Sequence, residues 1–162
     1  MKAIHTKANV SGMVTLALDP GTDQTAWVLY NGTILGHGIG DNESLLQWLR
    51  ERLCTPRPDI IACEMIASYG MPVGREVFET CRWIGRFEEA TKIPFRTIYR
   101  KDVKLSLCGT PRAKDGNIRQ ALIDLLGPQG VKKSPGPTFG ITSHKWAALA
   151  VAVHAHGIYC QQ

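Results

Sequence analysis

The stretch VTLALDPG, residues 14–21, indicates a buried strand that ends in an acidic residue at a tight turn. Five apolar or β-branched residues precede Asp19, and the Pro-Gly pair that follows stops the strand. A second β-rich run, TAWVLY at residues 25–30, ends at an Asn-Gly pair, which is a strong hairpin signal. Residues 33–38 predict a third strand. Three antiparallel strands in succession are therefore expected to open the domain.

The rest of the chain alternates helices with strands. Residues 42–53 have an apolar face at helical spacing, with Asp41 or Asn42 as the cap, and residues 59–64 (DIIACE) are apolar on both faces. A helix between two strands makes a crossover, which favours parallel pairing. The later predicted elements are helices at residues 73–91, 100–107, 115–126 and 143–156, a strand at residues 94–99, and a loop rich in Pro, Gly and Lys at residues 130–140.

This order of elements predicts the α/β class and is similar to the layout of the RNase H-like fold. The expected architecture is a mixed five-stranded sheet, in which three antiparallel strands are followed by parallel ones, with helices on both faces. Residues 13–162 are expected to form one domain, because a chain of 162 residues suffices for one core and seldom for two. Residues 1–12 are polar and mixed, and a flexible extension is predicted there.

The overall charge is basic, with a formal net charge of +5 and a sequence pI of about 9.1. This balance favours a polyanionic partner without establishing one. The five cysteines are odd in number and form no CxxC pair, which argues against a disulfide framework and against a zinc site. These cysteines therefore predict a protein of the reducing cytoplasm. No apolar run approaches the roughly 20 residues that span a bilayer.

Two predicted strands end in a carboxylate. Asp19 ends the first strand and Glu64 ends the fourth. If those strands are parallel neighbours, their ends coincide, and the two carboxylates repel each other without a cation between them. Oxygen ligands on a rigid sheet suit Mg²⁺ or Mn²⁺, and a pair of ions roughly 4 Å apart can serve phosphodiester chemistry. The alternative is that Asp19 caps the Pro-Gly turn and that Glu64 lies at a solvated sheet edge.

Four segments resemble motifs of the RuvC family of Holliday junction resolvases. They are LALDPGTDQTAW at residues 16–27, IIACEMI at residues 60–66, PFRTIYRKDVKLSLCGTPRAKDGNIRQAL at residues 94–122 and HKWAALAVAVHAH at residues 144–156. The resemblance covers roughly residues 13–157, with the segments in the family's order. It implies a metal-dependent endonuclease that cuts Holliday junctions or other branched DNA, in a bacterial or phage-infected cell.

The resemblance also implies a homodimer, formed through the helix at residues 73–91. Trp83 is predicted to be exposed there beside Arg82 and Arg86. Two active sites on one dimer can nick two strands symmetrically, as the resolution of a junction requires. The dimer is thus an expectation of the family resemblance and not of the sequence pattern.

The last motif departs from the family pattern. The family has an Asp or His followed three residues later by an Asp, and that spacing puts both on one helix face. Here the two positions hold His144 and Ala147, so His144 is the implied metal ligand or acid/base group, whereas Ala147 cannot bind a metal. Ala147 is either an inactivating substitution or the mark of a branch that completes its site with water or another acid, Asp115 or Asp23. Read without the resemblance, His144 is a surface histidine and Asp115 a helix cap.

Basic and apolar side chains near these motifs are candidate DNA contacts. Lys104 and Arg112 stand where RuvC-like enzymes place cations that contact DNA, and such cations make binding salt-dependent. Tyr69 and Met71 lie in the loop where the family carries an apolar wedge for the junction centre. The alternatives are a solvated basic face, and Tyr69 and Met71 packed under the next helix. The further candidates are Arg100, Lys101, Lys114, Arg119, Lys132, Lys133 and Lys145.

Three other functions compete with this one. An ATP-binding fold of the sugar-kinase or actin type shares the Asp-x-Gly-Thr pattern at residues 19–22, but it needs a duplicated domain and over twice this length. Ala147 favours a non-catalytic relative that binds junctions. The same chemistry also suits flaps, replication forks or RNA–DNA hybrids, because the dimer geometry and the loop after Glu64 select the shape of the substrate.

Overall fold

The computed structural model describes residues 12–51 and 54–159, and within these ranges it contains a five-stranded sheet, a two-stranded ribbon and five helices. The strands are β1 (Thr15–Pro20), β2 (Gln24–Tyr30), β3 (Ile34–Asp41), β4 (Ile60–Met65), β5 (Phe95–Tyr99), β6 (Gly130–Val131) and β7 (Ser134–Pro135). The helices are α1 (Asn42–Glu51), α2 (Arg75–Ala90), α3 (Arg100–Cys108), α4 (Asp115–Leu126) and α5 (Lys145–Tyr159). The sheet order is β3-β2-β1-β4-β5.

Strand β1 lies at the centre of the sheet and has a neighbour of each kind. It pairs antiparallel with β2, which pairs antiparallel with β3, and it pairs parallel with β4. Strand β5 extends the parallel half of the sheet beside β4. The predicted sheet, three antiparallel strands followed by parallel ones with helices on both faces, is therefore confirmed.

Alternate residues of β1 serve two separate cores. Leu16 and Leu18 are buried on the face covered by α1 and α2. Ala17 lies on the opposite face, against the cluster that α3, α4 and α5 complete. Since successive side chains of a strand point to opposite faces, Asp19 shares the face of Ala17. The first acid of the site thus lies on the face covered by α5.

Helix α5 lies close to the sheet because small residues meet on both sides of the contact. Ala17 of β1 and Ala62 of β4 are fully buried beneath it, and its own Ala148 and Ala152 are also fully buried. Short side chains let a helix axis approach a sheet without a gap, and close packing maximises dispersion contacts. This packing fixes the position from which the start of α5 reaches the end of β1.

Glycines of the edge strand β3 make room for an indole. The Trp27 ring lies over Gly36 and Gly38, and it also contacts the Trp48 ring of α1 at a centroid distance of 5.5 Å. A Cβ atom added at position 38 would lie 2.9 Å from atoms of the Trp27 ring. The cross-strand packing of β2 on β3 therefore requires glycine at this position.

Local hydrogen bonds and backbone angles set the first residues of the helices. Asp41 caps α1 as predicted, since the Ser44 N–H donates to its Oδ1 at 2.9 Å. The last helix, predicted from residue 143, begins instead at Lys145, and Ser143 before it has a φ of +49°. Helix α2 begins two residues later than predicted, after the extended backbone of Gly74.

The segment 130–140 was predicted to be a loop, and that prediction is wrong in part. Gly130 pairs with Pro135 and Val131 with Ser134 in the small ribbon of β6 and β7. Strands of two residues carry no hydrophobic periodicity, so nothing in the pattern signals them. Most of the predicted N-terminal extension, residues 1–11, lies outside the described residues, as do residues 52–53 and 160–162.

The helices of the described part of the chain are those of a packed α/β domain. Across residues 12–51 and 54–159, none has both the length and the apolar character needed to cross a bilayer.

Gly38→Ala is expected to destabilise the protein by about 1–3 kcal/mol, because the new methyl group would overlap the Trp27 ring. Gly40→Ala is the matched control on the same strand, where an added Cβ atom meets nothing within 4 Å. It is expected to be neutral or to stabilise by about 0.5 kcal/mol. Urea unfolding curves of both variants check this, and equal midpoints would contradict the packing of Trp27.

Candidate active site

The two strand-end acids lie on one face at one end of the sheet. In the parallel register Ala17 is level with Ala62 and Leu18 with Cys63, so Asp19 is level with Glu64 one residue further. Ala62 belongs to the same core as Ala17, which places Glu64 on the same face as Asp19. Both carboxylates line one cavity of about 680 Å³. The alternative of Glu64 at a solvated sheet edge does not hold.

Both acids are shielded from solvent. The exposed fraction of the side chain is 14% for Asp19 and 13% for Glu64. Burial raises the pKa of Asp19 to about 6, and repulsion from Glu64 adds to that rise, whereas His144 and Arg100 oppose it. The charged form of Asp19 is therefore costly, and any cation entering the cavity relieves that cost.

His144 reaches the first acid from the residue just before α5. Its Nδ1 lies 3.1 Å from Oδ2 of Asp19, although 125 positions separate the two in sequence. The side chain is 77% exposed. Because Nδ1 faces the carboxylate, Nε2 lies on the opposite side of the ring, where a substrate can approach. The exposed histidine is thus part of the acid cluster and not a remote surface group.

Arg100, a candidate DNA contact on the sequence, lies inside the acid cluster. Its Nη1 is 3.2 Å and 3.4 Å from the two carboxylate oxygens of Glu64, and its Nη2 donates to Oδ1 of Asp115. Arg100 directly follows β5, whose parallel pairing with β4 brings it level with the end of that strand. The sequence carried a signal for this contact. The predicted strand at residues 94–99 ends just before Arg100, and another predicted strand ends at Glu64.

Asp115 joins the cluster through Arg100. It is the first residue of α4 and its side chain is exposed. The reading of Asp115 as the helix cap is wrong, because Lys114 is the N-cap residue and its backbone N–H donates to Oδ1 of Asn117 at 2.9 Å. Asp23, the other candidate acid, lines a neighbouring groove together with Asp19 and His144.

The turn after Asp19 is held by a buried asparagine that sequence reasoning treated only as a cap. Asn42 accepts a hydrogen bond from Thr25 Oγ1 at 2.6 Å and donates one to the Gly21 carbonyl at 2.9 Å. The Gly21 N–H closes the turn by donating to the Gln24 carbonyl. Asp19 is therefore not needed to cap the turn, and its carboxylate is directed to His144.

The donor types of the cluster suit Mg²⁺ or Mn²⁺, but the ligand set is not complete. Ala147 lines the cavity and offers only a methyl group. Within the described residues, no three His, Cys, Asp or Glu side chains are arranged to hold one ion. Asp19 and His144 are paired, while Glu64 is paired with Arg100. The residues therefore fit a divalent ion in kind, with Asp19 and His144 on one side of the cavity and Glu64, shared with Arg100, on the other.

Most of the predicted basic contacts are exposed. Lys101 and Lys104 are on α3, Lys104 being half-buried, and Arg112 is in the turn that follows. Lys101 directly follows Arg100, which lines the cavity. Lys114 and Arg119 on or beside α4, and Lys132 and Lys133 between β6 and β7, are also exposed.

Besides Arg100, two of the predicted basic contacts are held by protein groups. The Lys145 ammonium donates to the Gly140 carbonyl and lies 3.5 Å from Nδ1 of His37. The Arg119 guanidinium lies 5.0 Å from the ring centroid of Trp146 and donates to Oε1 of Gln129 at 3.2 Å. Lys145 thus secures the start of α5 beside His144, and Arg119 secures the segment that leads to it.

The loop after β4 projects away from the protein. Tyr69 is 63% exposed and Met71 is 70% exposed, so neither packs under the following helix. Tyr69 has a φ of +47° and Gly70 a φ of +79°, and the Met71 N–H donates to the Ser68 carbonyl. A tyrosine in the left-handed region is uncommon, and the tight turn holds its ring outward.

The environment of Trp83 on α2 differs from the predicted one. The ring is half-buried and lies 5.7 Å from the Phe87 ring, because Phe87 fills the core beneath α2. The Arg86 guanidinium lies 4.0 Å above the indole, and it also pairs with Glu43 of α1. Phe78, at 61% exposure, is instead the large apolar side chain that α2 presents outward.

Asp19→Asn is expected to stabilise the protein in EDTA at pH 8 by about 1–3 kcal/mol. The pKa of about 6 lies above the ordinary 3.8, so the folded chain binds more protons than the unfolded chain between these values. The stability that Asp19 contributes therefore falls as the pH rises from about 4 to about 6, and the gain from Asn should vanish towards pH 4. Urea unfolding at both pH values measures it, with Asp124→Asn as an exposed control.

Comparisons with known proteins bear on the fold. RuvC of Thermus thermophilus gives a TM-score of 0.67 at 20% identity, over 89% of this chain and 94% of that one. Thermus thermophilus RuvC in complex with a Holliday junction substrate gives 0.66 at 21% identity, over 88% and 92%. No protein-family model and no curated protein matches the sequence. The resemblance that the motifs indicated thus extends to the whole domain, and the chain has the fold of RuvC.

Proposed function

We propose that this protein is a divalent-cation-dependent endonuclease that cuts branched DNA, with the Holliday junction as its expected substrate. The observation that carries the proposal is the meeting of Asp19, Glu64 and His144 at one end of the sheet, in a cavity that opens to solvent. The fold shared with RuvC, which has been solved with a Holliday junction substrate, supports the substrate class. A role in DNA recombination or repair follows from that class.

The three side chains suit the hydrolysis of a phosphodiester. Asp19 and Glu64 would hold Mg²⁺ or Mn²⁺, which would polarise the phosphate and lower the pKa of water. Hydrolysis forms a P–O bond to water and breaks the one to the leaving oxygen, which takes a proton. His144 can transfer that proton through Nε2, while Asp19 orients its ring through Nδ1.

The surface around the cavity suits a branched polyanion. Exposed cations on α3, on α4 and in the β6–β7 turn would neutralise phosphates of a bound strand. Tyr69 and Met71 are exposed on the tight turn that follows β4, the strand that carries Glu64. Stacking on an unpaired base contributes about 1–3 kcal/mol, so this turn is suited to the open centre of a junction.

We further propose a homodimer, because symmetrical cutting of a junction needs two copies of the site. The exposed Phe78 and the Arg82 beside it on α2 lie on a helix face that is suited to a second copy. Analytical ultracentrifugation measures the oligomeric state. A chain that stays monomeric both free and on a junction would contradict this part of the proposal.

A second candidate function is a junction-binding protein that does not cut. Ala147 and the incomplete ligand set favour it. A synthetic four-way junction with Mg²⁺ or Mn²⁺ separates the two functions when the wild type and Ala147→Asp are compared. Cutting by the wild type supports the enzyme, and cutting by Ala147→Asp alone marks a nuclease inactivated at this position. Binding without cutting by both supports the second function.

Asp19→Asn and Glu64→Gln are each expected to lower the rate of junction cutting at least about 10³-fold, because each removes a charged oxygen ligand. Binding of the junction should remain within about threefold, since the phosphate-binding cations are untouched. Single-turnover cutting and gel-shift titration measure the two quantities. Loss of binding together with cutting would contradict a role confined to catalysis.

Lys104→Ala is expected to weaken junction binding and to reduce the slope of log K against log salt concentration by about one. The matched control is Lys92→Ala, because Lys92 is exposed beside Pro58 and Asp59, where β4 begins, at the opposite end of the sheet from the acids. Its slope should equal that of the wild type. Equal salt slopes for Lys104→Ala and Lys92→Ala would contradict a contact between Lys104 and DNA.

A further inference from the structure

Arg100 bridges two carboxylates at the active site. Its Nη1 contacts both oxygens of Glu64 and its Nη2 contacts Asp115, while its side chain is 33% exposed. Resting on the proposed nuclease function, we propose that Arg100 is the built-in second cation of the site. It supplies on the Glu64 side the positive charge that a second divalent ion would bring, so that the cavity takes one ion and not two.

The distribution of ligands across the cavity supports this assignment. Asp19 and His144 are paired on one side, and Glu64 with Asp115 holds the guanidinium on the other. Ala147 lines the same cavity and adds no oxygen or nitrogen ligand. A second ion would therefore have to take its ligands from Glu64 and Asp115, the two groups that Arg100 already neutralises.

A guanidinium is chemically suited to this role. It stays protonated at any pH at which the protein folds, and its planar fork matches carboxylate and phosphate oxygens. It carries five N–H donors, which is more than its contacts with Glu64 and Asp115 require. Arg100 can therefore donate to a phosphate oxygen in the cavity while it remains attached to both acids.

Asp115 acquires a defined role from the same contact. It is exposed and lies at the start of α4, where it holds the outer end of Arg100. Arg100 is the first residue of α3 and Asp115 the first of α4, so their contact joins the starts of two helices that are close in sequence. Asp115 is on this account a positioning residue for Arg100 and not a ligand of its own ion.

The decisive measurement is the number of Mn²⁺ ions bound per chain, by calorimetry on the full protein without DNA. The wild type is expected to bind one. Arg100→Gln, which removes the competing charge from Glu64, is expected to bind one Mn²⁺ about tenfold more tightly. Ala147→Asp combined with Arg100→Gln is expected to bind two.

The matched control is Arg96→Gln, because Arg96 is on the same strand as Tyr99 and donates to the Phe95 carbonyl, away from the acids. Its Mn²⁺ affinity should stay within twofold of the wild type. Arg100→Lys keeps the charge without the fork, so it should bind one ion with nearly wild-type affinity. This variant also guards against a fold that does not tolerate glutamine at position 100.

Cutting provides the second readout. Arg100→Gln should cut a junction about 10²-fold more slowly than the wild type despite its tighter Mn²⁺ binding, because a phosphate ligand is lost. Two Mn²⁺ ions per wild-type chain, or an Arg100→Gln affinity equal to that of Arg96→Gln, would overturn the role of Arg100. A wild type that binds one ion and cuts no branched DNA would instead count against the proposed function.

Discussion

The parallel pairing of β1 with β4 is the constraint on which the site depends. It places Asp19 and Glu64 side by side, on the face of the sheet that α5 covers. Burial and repulsion from Glu64 raise the pKa of Asp19 to about 6, so its charged form raises the free energy of the folded chain. The neighbouring elements place Arg100 and His144 against these acids, and both groups suit the proposed hydrolysis of a phosphodiester.

The compensating groups arrive by two different routes. Arg100 comes from the end of β5, which is parallel to β4 and therefore ends at the same edge of the sheet. His144 comes from the start of α5, whose height above the sheet is set by alanines on both surfaces. The one element supplies its group by strand register and the other by packing. A change in the strand register or in the helix packing would leave the two acids without these partners.

Net charge describes the proposed DNA surface less well than the side-chain contacts do. Of the basic residues near the site, Arg100 is held by two acids, and Lys145 by the Gly140 carbonyl beside His37. These groups build the site and are not spread over its surface. Lys101, Arg112 and Lys114 remain exposed, so the cations suited to phosphates are a subset of those that a charge count suggests.

The sequence by itself determined the order of elements and the two strand-end acids, because hydrophobic period and turn residues act over a few neighbouring positions. Its motifs also carried the resemblance to the RuvC family. It identified Arg100 and Asp115 as separate candidates but could not pair them. Their contact, the bond from His144 to Asp19 and the bracing of the turn by Asn42 depend on strand register and helix height. Those quantities arise from packing between segments distant in sequence, which is why only the tertiary structure decided them.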